Sequence, residues 1–203
     1  VLDALPAADP KVEALLEEIK DVLQHDPNEK LIVFTEYLDT LDAIKARMDR
    51  EPSVAGRYVV LHGGLGLKRR LQRQAAFEQP GTRMLLATDA ASEGLNLQRH
   101  CRRVIHFELP WNPNRLEQRN GRVDRYGQTR HPEIRYLYYP DSPDDAVLNT
   151  LVGKIEQMRD DRLSTPDILG VLVGDGEVEK ELVHLDPEAD DIAARKRALV
   201  QHF

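Results

Sequence analysis

The sequence is poor in cysteine and in long apolar stretches. Its 203 residues include one cysteine, Cys101, so an intrachain disulfide is excluded and a reducing, intracellular setting is expected. A metal site is not expected either, because the histidines His62, His100 and His106 lie at unrelated spacings and one cysteine cannot complete a zinc pattern. No apolar stretch reaches the roughly 20 residues of a membrane span, and the N-terminus has no basic segment followed by an apolar one. We therefore expect a cytoplasmic protein without a membrane partner.

Positive charge is scarce outside the middle of the chain. The net charge is −7, which taken alone argues against a nucleic-acid partner. Residues 57–130, however, carry 14 Arg and Lys against 6 Asp and Glu, whereas the remainder carries 14 against 29. Local potential rather than total charge decides where a phosphate backbone docks. The basic middle is therefore compatible with nucleic acid.

Short apolar segments alternate with amphipathic segments over the first 140 residues. Strands are predicted at 31–35, 57–62, 84–88, 103–107 and 134–139, and helices at 10–24, 38–48, 67–77 and within the arginine-rich stretch 110–128. Alternation of this kind predicts right-handed βαβ units, and hence an α/β fold with a mainly parallel sheet covered on both faces. We expect this domain to occupy residues 1–140.

The pattern changes after Pro140. Residues 143–162 predict a long helix, 167–173 form a short apolar segment, and the acidic remainder becomes helical again over 190–200. We therefore expect a helical, acidic C-terminal extension over residues 141–203. Two roles remain open for it, which are to cover the flank of the core or to dock on domains outside this sequence.

Polar and glycine-rich clusters follow the predicted strands. They are Thr35-Glu36, His62-Gly63-Gly64, Thr88-Asp89 and the stretch that begins at Glu108. Ligands of parallel α/β sheets bind at the carboxyl ends of the strands. The coincidence of every unusual cluster with such an end predicts a ligand-binding edge there.

Three arginines, Arg119, Arg122 and Arg125, follow one another at steps of three within PWNPNRLEQRNGRVDRYGQ, residues 110–128. On a short helix they would project to one side, where they would repel each other and could hold a phosphate. Gly121 inside that helix would cost about 1 kcal/mol relative to alanine, which is understandable if a backbone or ligand comes close. The alternative is a solvated basic face.

Two further stretches have phosphate-binding character. TDAASEGLNLQ, residues 88–98, places a hydroxyl, a carboxylate and small residues after a strand, although a Thr-Asp pair is also a common helix N-cap. Residues 62–78 open a helix after glycines, and its cations are Lys68, Arg69, Arg70 and Arg73. These cations predict either a phosphate-backbone site or a solvated face.

With these residues in view, the chain resembles the C-terminal, second RecA-like domain of superfamily 2 helicases and translocases. The matches to motif VI, Gln-Arg-x-Gly-Arg-x-x-Arg, are Gln118, Arg119, Gly121, Arg122 and Arg125. Residues 31–37, 62–78 and 88–98 are similar to motifs IV, IVa and V, and the resemblance spans residues 10–140 in the family's order. The flanks, Pro110 to Pro113 and Tyr126 to Gln128, resemble the SWI/SNF-like branch, since DEAD-box members usually carry histidine at position 118. The resemblance implies a RecA-like three-layer αβα fold.

The resemblance also implies roles for individual residues. Arg122 and Arg125 would be arginine fingers on the γ-phosphate of ATP. Further residues on the ATP side would be Gln118, Glu93, Gly94 and Asn96, although DEAD-box members carry aspartate at position 96. The residues that would contact nucleic acid are Thr35, Gly63, Lys68, Arg70, Arg73 and Thr88. Trp111 would be either a stacking platform for a base or a packing anchor.

Half of an ATP site is missing from the sequence. It has no Gly-x-x-x-x-Gly-Lys-Ser/Thr and no DExH or DEAD run, so it supplies neither the β-phosphate cradle nor the Mg²⁺ carboxylate. Val1 is not a natural start, and we expect a piece of a longer protein whose N-terminal RecA-like domain binds ATP and Mg²⁺, with none bound by this chain alone. The branch resemblance predicts double-stranded DNA as the partner. The alternative function is a stand-alone nucleic-acid or protein binding module without catalysis.

Overall fold

The computed structural model describes residues 9–89, 96–110, 112–139, 182–184 and 198–200. The helices are α1 (Pro10–His25), α2 (Leu38–Met48), α3 (Leu67–Glu78) and α4 (Pro113–Asn120). The strands are β1 (Leu31–Thr35), β2 (Tyr58–Leu61), β3 (Met84–Thr88), β4 (Arg103–His106), β5 (Glu133–Tyr138), β6 (Leu182–His184) and β7 (Ala198–Val200). The strands and helices predicted up to residue 106 are confirmed, with differences of one residue at some ends.

The strands form one sheet in the order β2-β3-β1-β4-β5-β6-β7. Every neighbouring pair is parallel except β6 with β7, which is antiparallel. The mainly parallel sheet predicted from the alternating pattern is therefore confirmed. In the register, Thr35 of β1 lies beside Thr88 of β3, and Phe34 lies beside His106 of β4. Because these strands are parallel, their carboxyl ends meet at one edge.

Apolar residues fill both faces of the sheet. All residues of β1 and β3 are buried, as expected of strands with the continuous apolar sequences LIVFT and MLLAT. On one face α1 and α2 pack through Leu15, Ile19 and Ile44, and on the other α3 and α4 pack through Phe77 and Leu116. Burial of each such side chain contributes about 1.5–3 kcal/mol. The result is three layers, helix, sheet and helix.

The start of β1 is fixed to the end of α3 by the buried side chain of Lys30. Its ammonium Nζ donates to the carbonyl oxygens of Phe77, Gln79 and Thr82 at 2.5, 2.8 and 2.6 Å. Burial lowers the pKa of Lys30, and the nearby Arg83 lowers it further. The bond to Phe77 O supplies a donor to one of the carbonyls at the end of α3 that have no partner within the helix. The contact therefore closes α3 at the edge opposite the carboxyl ends of the strands.

The C-terminal extension contributes strands to the sheet. β6 pairs with β5, and β7 lies beside β6. The helix predicted over 190–200 is wrong at its last three residues, because Ala198–Val200 are paired in a strand. The helix predicted at 143–162 and the segment 167–173 lie outside the described residues. Among the helices that are described, none is both long and apolar enough to cross a membrane.

Candidate nucleotide and nucleic-acid site

The arginine-rich stretch is helical over only part of its length. α4 ends at Asn120, and residues 121–127 form turns and bends. The prediction that Arg119, Arg122 and Arg125 share one helical face, with Gly121 inside the helix, is therefore wrong. Gly121 closes the helix with a bond from its N to Glu117 O at 2.8 Å, and a Cβ at this position would lie 3.2 Å from that same oxygen. Lack of a Cβ allows the close approach that ends the helix.

Arg119 is a buried structural residue. Only 1% of its surface is exposed, its Nε donates to Asp89 Oδ1 at 2.5 Å, and its Nη2 donates to Asp89 Oδ2 at 2.9 Å. Its Nη1 donates to Glu108 O at 2.8 Å, and the guanidinium lies over the Phe34 ring at 5.5 Å. A two-point contact with a carboxylate neutralises this arginine. Arg119 therefore joins α4 to the ends of the strands and is not available to bind a ligand.

Three carboxylates gather around Arg119. Asp89 is bonded to it, Glu36 Oε1 lies 3.7 Å from Nη2, and Glu108 Oε2 accepts a bond from Glu36 N at 3.1 Å. Burial raises the pKa of Glu36; Arg119 opposes that rise, while Asp89 and Glu108 add to it. These residues follow β1, β3 and β4. The predicted meeting of the polar clusters at one edge is thus observed for these three strands.

His106 packs α4 onto the sheet beneath this cluster. It is fully buried between the rings of Phe34 and Tyr136, with centroids 6.0 and 4.9 Å away. Its Nε2 lies 2.8 Å from Asn120 Oδ1, and its Nδ1 lies 3.4 Å from Arg119 Nη1. Burial lowers the pKa of His106 well below its ordinary value, and Arg119 lowers it further. The ring is therefore neutral, with the proton on Nε2, which faces an acceptor.

Arg122 and Arg125 lie on the arginine loop, defined here as residues 121–130. Arg122 is half-buried, and its Nε donates to Gln118 O at 3.0 Å. Arg125 is exposed, and its Nη1 donates to Asn96 Oδ1 at 2.9 Å. The structure thus brings together four of the residues predicted for the ATP side, in two pairs. Two others, Glu93 and Gly94, lie outside the described residues, as does Trp111.

Helix α3 presents most of its cations to solvent. Phe77 is its only buried residue, whereas Lys68 and Arg73 are exposed. Arg70 is half-buried and donates from Nε to Leu65 O at 2.9 Å and from Nη2 to Gly63 O at 3.1 Å. Arg70 therefore shapes the glycine loop that follows β2, while its neighbours supply the exposed charge.

Thr35 and Thr88 lie side by side at the carboxyl ends of their strands. They are 1% and 5% exposed, and the Thr35 hydroxyl donates to Tyr37 O at 3.4 Å. The family resemblance predicts that both residues contact nucleic acid. In this structure a ligand at the edge would reach them only through the small part that remains accessible.

The arginine loop fits phosphate oxygens rather than a metal ion. Arg122 and Arg125 offer permanent positive charge, which suits the phosphates of a nucleotide. The carboxylates that could attract a cation are held around Arg119. In the described part of the chain, no group of three or more His, Cys, Asp or Glu side chains is arranged to hold a metal ion.

A three-layer α/β domain with a mainly parallel sheet is the architecture of RecA-like domains. The chain belongs to the helicase conserved C-terminal domain family, whose family model matches residues 10–127. The resemblance to the C-terminal domain of superfamily 2 helicases, on the SWI/SNF-like branch, is thereby confirmed. The sequence pattern does not identify the roles of Asp89, His106 and Asn120. Their only distinguishing feature in the sequence is that they lie in or beside a motif.

Curated relatives and solved structures agree with the family. The RNA polymerase-associated protein RapA of Yersinia enterocolitica is 41% identical over 133 residues, which cover 64% of this chain and 13% of that protein. RapA of Yersinia pestis is 39% identical over 137 residues, covering 66% and 13%. The chain thus spans about an eighth of the length of these relatives.

Two solved structures confirm the predicted fold class. The C-terminal part of the Fun30 ATPase domain has a TM-score of 0.62 at 24% identity, covering 68% of this chain and 44% of that one. Domain 2 of the DEAD-box helicase Mss116p, bound to an RNA duplex, has a TM-score of 0.61 at 16% identity, covering 91% and 62%. The RecA-like architecture is therefore shared although the sequences have diverged.

Proposed function

We propose that this chain is the second motor domain of an ATP-dependent DNA helicase or translocase of the SWI/SNF-like type. ATP and Mg²⁺ would bind on an N-terminal RecA-like domain of the same protein, and this chain would complete the site from across the cleft. The missing phosphate cradle and metal carboxylate support this division, because a nucleotide site on this chain alone would lack both.

The observation that carries the proposal is the contrast between Arg119 and Arg125. Arg119 is buried against Asp89, whereas Arg125 is exposed and bonds a neutral amide oxygen, that of Asn96. A guanidinium with no carboxylate partner, among the described residues, retains its charge for an incoming anion. Arg122 stands on the same loop, three residues earlier, and we assign it the same role.

The arginines would act mainly in the transition state of phosphoryl transfer. When bound, ATP supplies the γ-phosphoryl group, whose charge is spread over three equatorial oxygens in the transition state while negative charge develops on the leaving oxygen. Arg122 and Arg125 would stabilise that charge, and Gln118 and Asn96 would hold the two guanidiniums in place. Closure of the two domains would bring the arginines into reach, and their release after hydrolysis would let the domains separate.

The carboxyl ends of β1, β2 and β3, together with α3, would hold nucleic acid. Lys68 and Arg73 project from α3 into solvent, and Arg70 commits two of its five N–H groups to loop carbonyls and can offer others to a phosphate. Thr35, Gly63 and Thr88 lie at the ends of the neighbouring strands. We propose double-stranded DNA as the partner, on the strength of the SWI/SNF-like motif flanks.

The test is the ATPase activity of the full-length protein with double-stranded DNA, single-stranded DNA and RNA as stimulants. Arg125→Ala should lower the stimulated turnover by about 10³, as is typical of arginine fingers, with nucleic-acid affinity nearly unchanged. Arg50→Ala, an exposed arginine beyond the end of α2, is the matched control and should leave turnover unchanged. If Arg125→Ala keeps more than about a tenth of the activity, the finger assignment is wrong. If single-stranded DNA or RNA is the better stimulant, the assignment of duplex DNA is wrong.

A further inference from the structure

The side-chain amide of Gln128 uses all its hydrogen-bonding positions in contacts with the arginine loop and with Cys101, which precedes β4. Its Nε2 donates to Val123 O and to Cys101 O, both at 3.0 Å. Its Oε1 accepts from the backbone N of Thr129 and of Arg130, both at 3.1 Å. An amide has two N–H donors and one carbonyl oxygen with two lone pairs, so no capacity remains for a ligand. The amide is consequently fixed in one orientation.

These bonds tie the loop to the segment that precedes β4. Cys101 O belongs to that segment, and Val123 O lies two residues before Arg125. On the other side of Arg125, Tyr126 O accepts a bond from the mostly buried Gln98 at 3.4 Å. The same segment, 96–101, begins with Asn96, the partner of the Arg125 guanidinium. The backbone on both sides of Arg125 is therefore attached to the segment that also holds its side chain.

Gly127 makes this arrangement possible. Its φ is +98°, a conformation that residues with a Cβ rarely adopt. The chain turns back at this point, Gln128 N donates to Arg125 O at 3.0 Å, and the Gln128 side chain reaches Val123. The sequence Tyr-Gly-Gln that follows Arg125 thus forms a turn and supplies the amide that closes it.

We propose that Gln128 is a positioning residue that fixes the place of Arg125. The inference rests on the proposed function, in which Arg125 meets the γ-phosphate of ATP held by another domain. An exposed arginine on an unrestrained loop would adopt many conformations, and a displacement of about 1 Å from the productive geometry can cost about 10²-fold in rate. Gln128 touches neither the nucleotide nor the reacting atoms, and its effect passes through the loop backbone.

The test uses two variants of the full-length protein. Gln128→Leu removes all four hydrogen bonds, and Gln128→Glu keeps the shape but replaces the donor that faces Val123 O and Cys101 O with a second acceptor. Both should lower kcat for DNA-stimulated ATP hydrolysis by about 10- to 100-fold. KM for ATP and affinity for DNA should stay within about twofold, because Arg125 acts mainly in the transition state. Gln24→Leu and Gln24→Glu, at an exposed position in α1, are the matched controls and should match the unmodified protein.

A double variant separates positioning from a general structural role. Arg125→Ala with Gln128→Leu should be no slower than Arg125→Ala alone, because a misplaced arginine and an absent one are equivalent. If the two effects multiply instead, Gln128 acts elsewhere and the inference is overturned. The inference also fails if folded Gln128 variants keep kcat within about twofold while Arg125→Ala is inactive, or if neither Gln128 variant folds. Continued activity of Arg125→Ala would instead overturn the finger assignment in the proposed function, whatever the Gln128 variants show.

Discussion

The Arg119 guanidinium and the Asp89 carboxylate meet in two parallel hydrogen bonds, Nε to Oδ1 at 2.5 Å and Nη2 to Oδ2 at 2.9 Å. Asp89 directly follows β3 and Arg119 lies on α4, so one ion pair joins the strand edge to the helix that precedes the arginine loop. The geometry of the loop therefore depends on this pair. Charge, burial and position give this pair a structural role, whereas Arg122 is half-buried and Arg125 is exposed.

Removal of the Asp89 carboxylate should destabilise the domain. Asp89→Ala leaves the guanidinium of Arg119 buried without its main partner, and we expect a loss of about 3 kcal/mol in the free energy of unfolding. Denaturant unfolding of the purified domain measures this loss. Asp42→Ala, at an exposed position in α2, should change stability by less than about 0.5 kcal/mol. A loss below about 1 kcal/mol for Asp89→Ala would show that the pair is dispensable.

Acidification should weaken the fold through His106. The folded-state pKa of His106 lies well below its unfolded value near 6.5, so between these two values the unfolded chain binds a proton that the folded one does not. Stability is therefore lost as the pH falls through about 6.5.

His106→Gln should remove that part of the pH dependence, since the amide does not titrate. The comparison of unfolding free energies at pH values above and below the unfolded-state pKa, in the unmodified protein and the variant, isolates the contribution. His25→Gln, which makes the same replacement at an exposed histidine, is the matched substitution. Equal pH dependence in the unmodified protein and His106→Gln would mean that the buried ring is not the group responsible.

Loss of an exposed cation from α3 should reduce the salt dependence of DNA binding. Each phosphate contact contributes about 0.9 to the slope of log K against log salt concentration, so Lys68→Ala or Arg73→Ala should each flatten the slope by about one unit. Affinity should fall about equally for all DNA sequences. Arg70→Ala should flatten the slope as well, but it also removes the bonds to Leu65 O and Gly63 O and is therefore the less clean variant.

The measurement for these α3 variants is DNA affinity of the full-length protein at several salt concentrations. Lys45→Ala on α2 is the matched control, because it also removes one lysine. The Lys45 ammonium is paired with Asp49 at 2.7 Å. The slope for Lys45→Ala should equal that of the unmodified protein. A slope that stays constant in both Lys68→Ala and Arg73→Ala would identify α3 as a solvated basic face.

The chain on its own should neither hydrolyse ATP nor bind it tightly. Most phosphate contacts and the metal site would belong to the other domain, and the arginines alone give little ground-state affinity. Calorimetric titration of the isolated chain with ATP and Mg²⁺ tests this directly. Binding in the low-micromolar range would contradict the division of the site between two domains.

Much of the fold follows from local sequence. The continuous apolar runs of β1 and β3 predict strands in the middle of a sheet buried on both faces, and the polar clusters after them predict its ligand-binding edge. The end of α4 is less predictable, because arginines at steps of three fit a helix and a series of turns equally well. Gly121 is the available signal, although the spacing of the arginines predicts that it lies inside the helix.

The burial of Arg119 depends on residues far away in the chain. Asp89 is bonded to it across 30 positions, and it arrives there because β3 and β4 flank β1 in the sheet. Periodicity describes only neighbours along one element, so it cannot distinguish a buried arginine from its two accessible successors. The same holds for His106 and Asn120, whose contact appears only once α4 lies on the sheet.

The position of β1 also affects how the chain is made. This strand, LIVFT, is flanked by β3 and β4, both of which are synthesised later. At about 5–20 residues per second, the roughly 50 residues between β1 and β3 take several seconds to emerge. Throughout that time a five-residue apolar segment of high β-propensity has no partner within its own sheet, and such segments are prone to aggregation. A segment that is fully protected in the folded sheet is therefore prone to aggregation in the nascent chain.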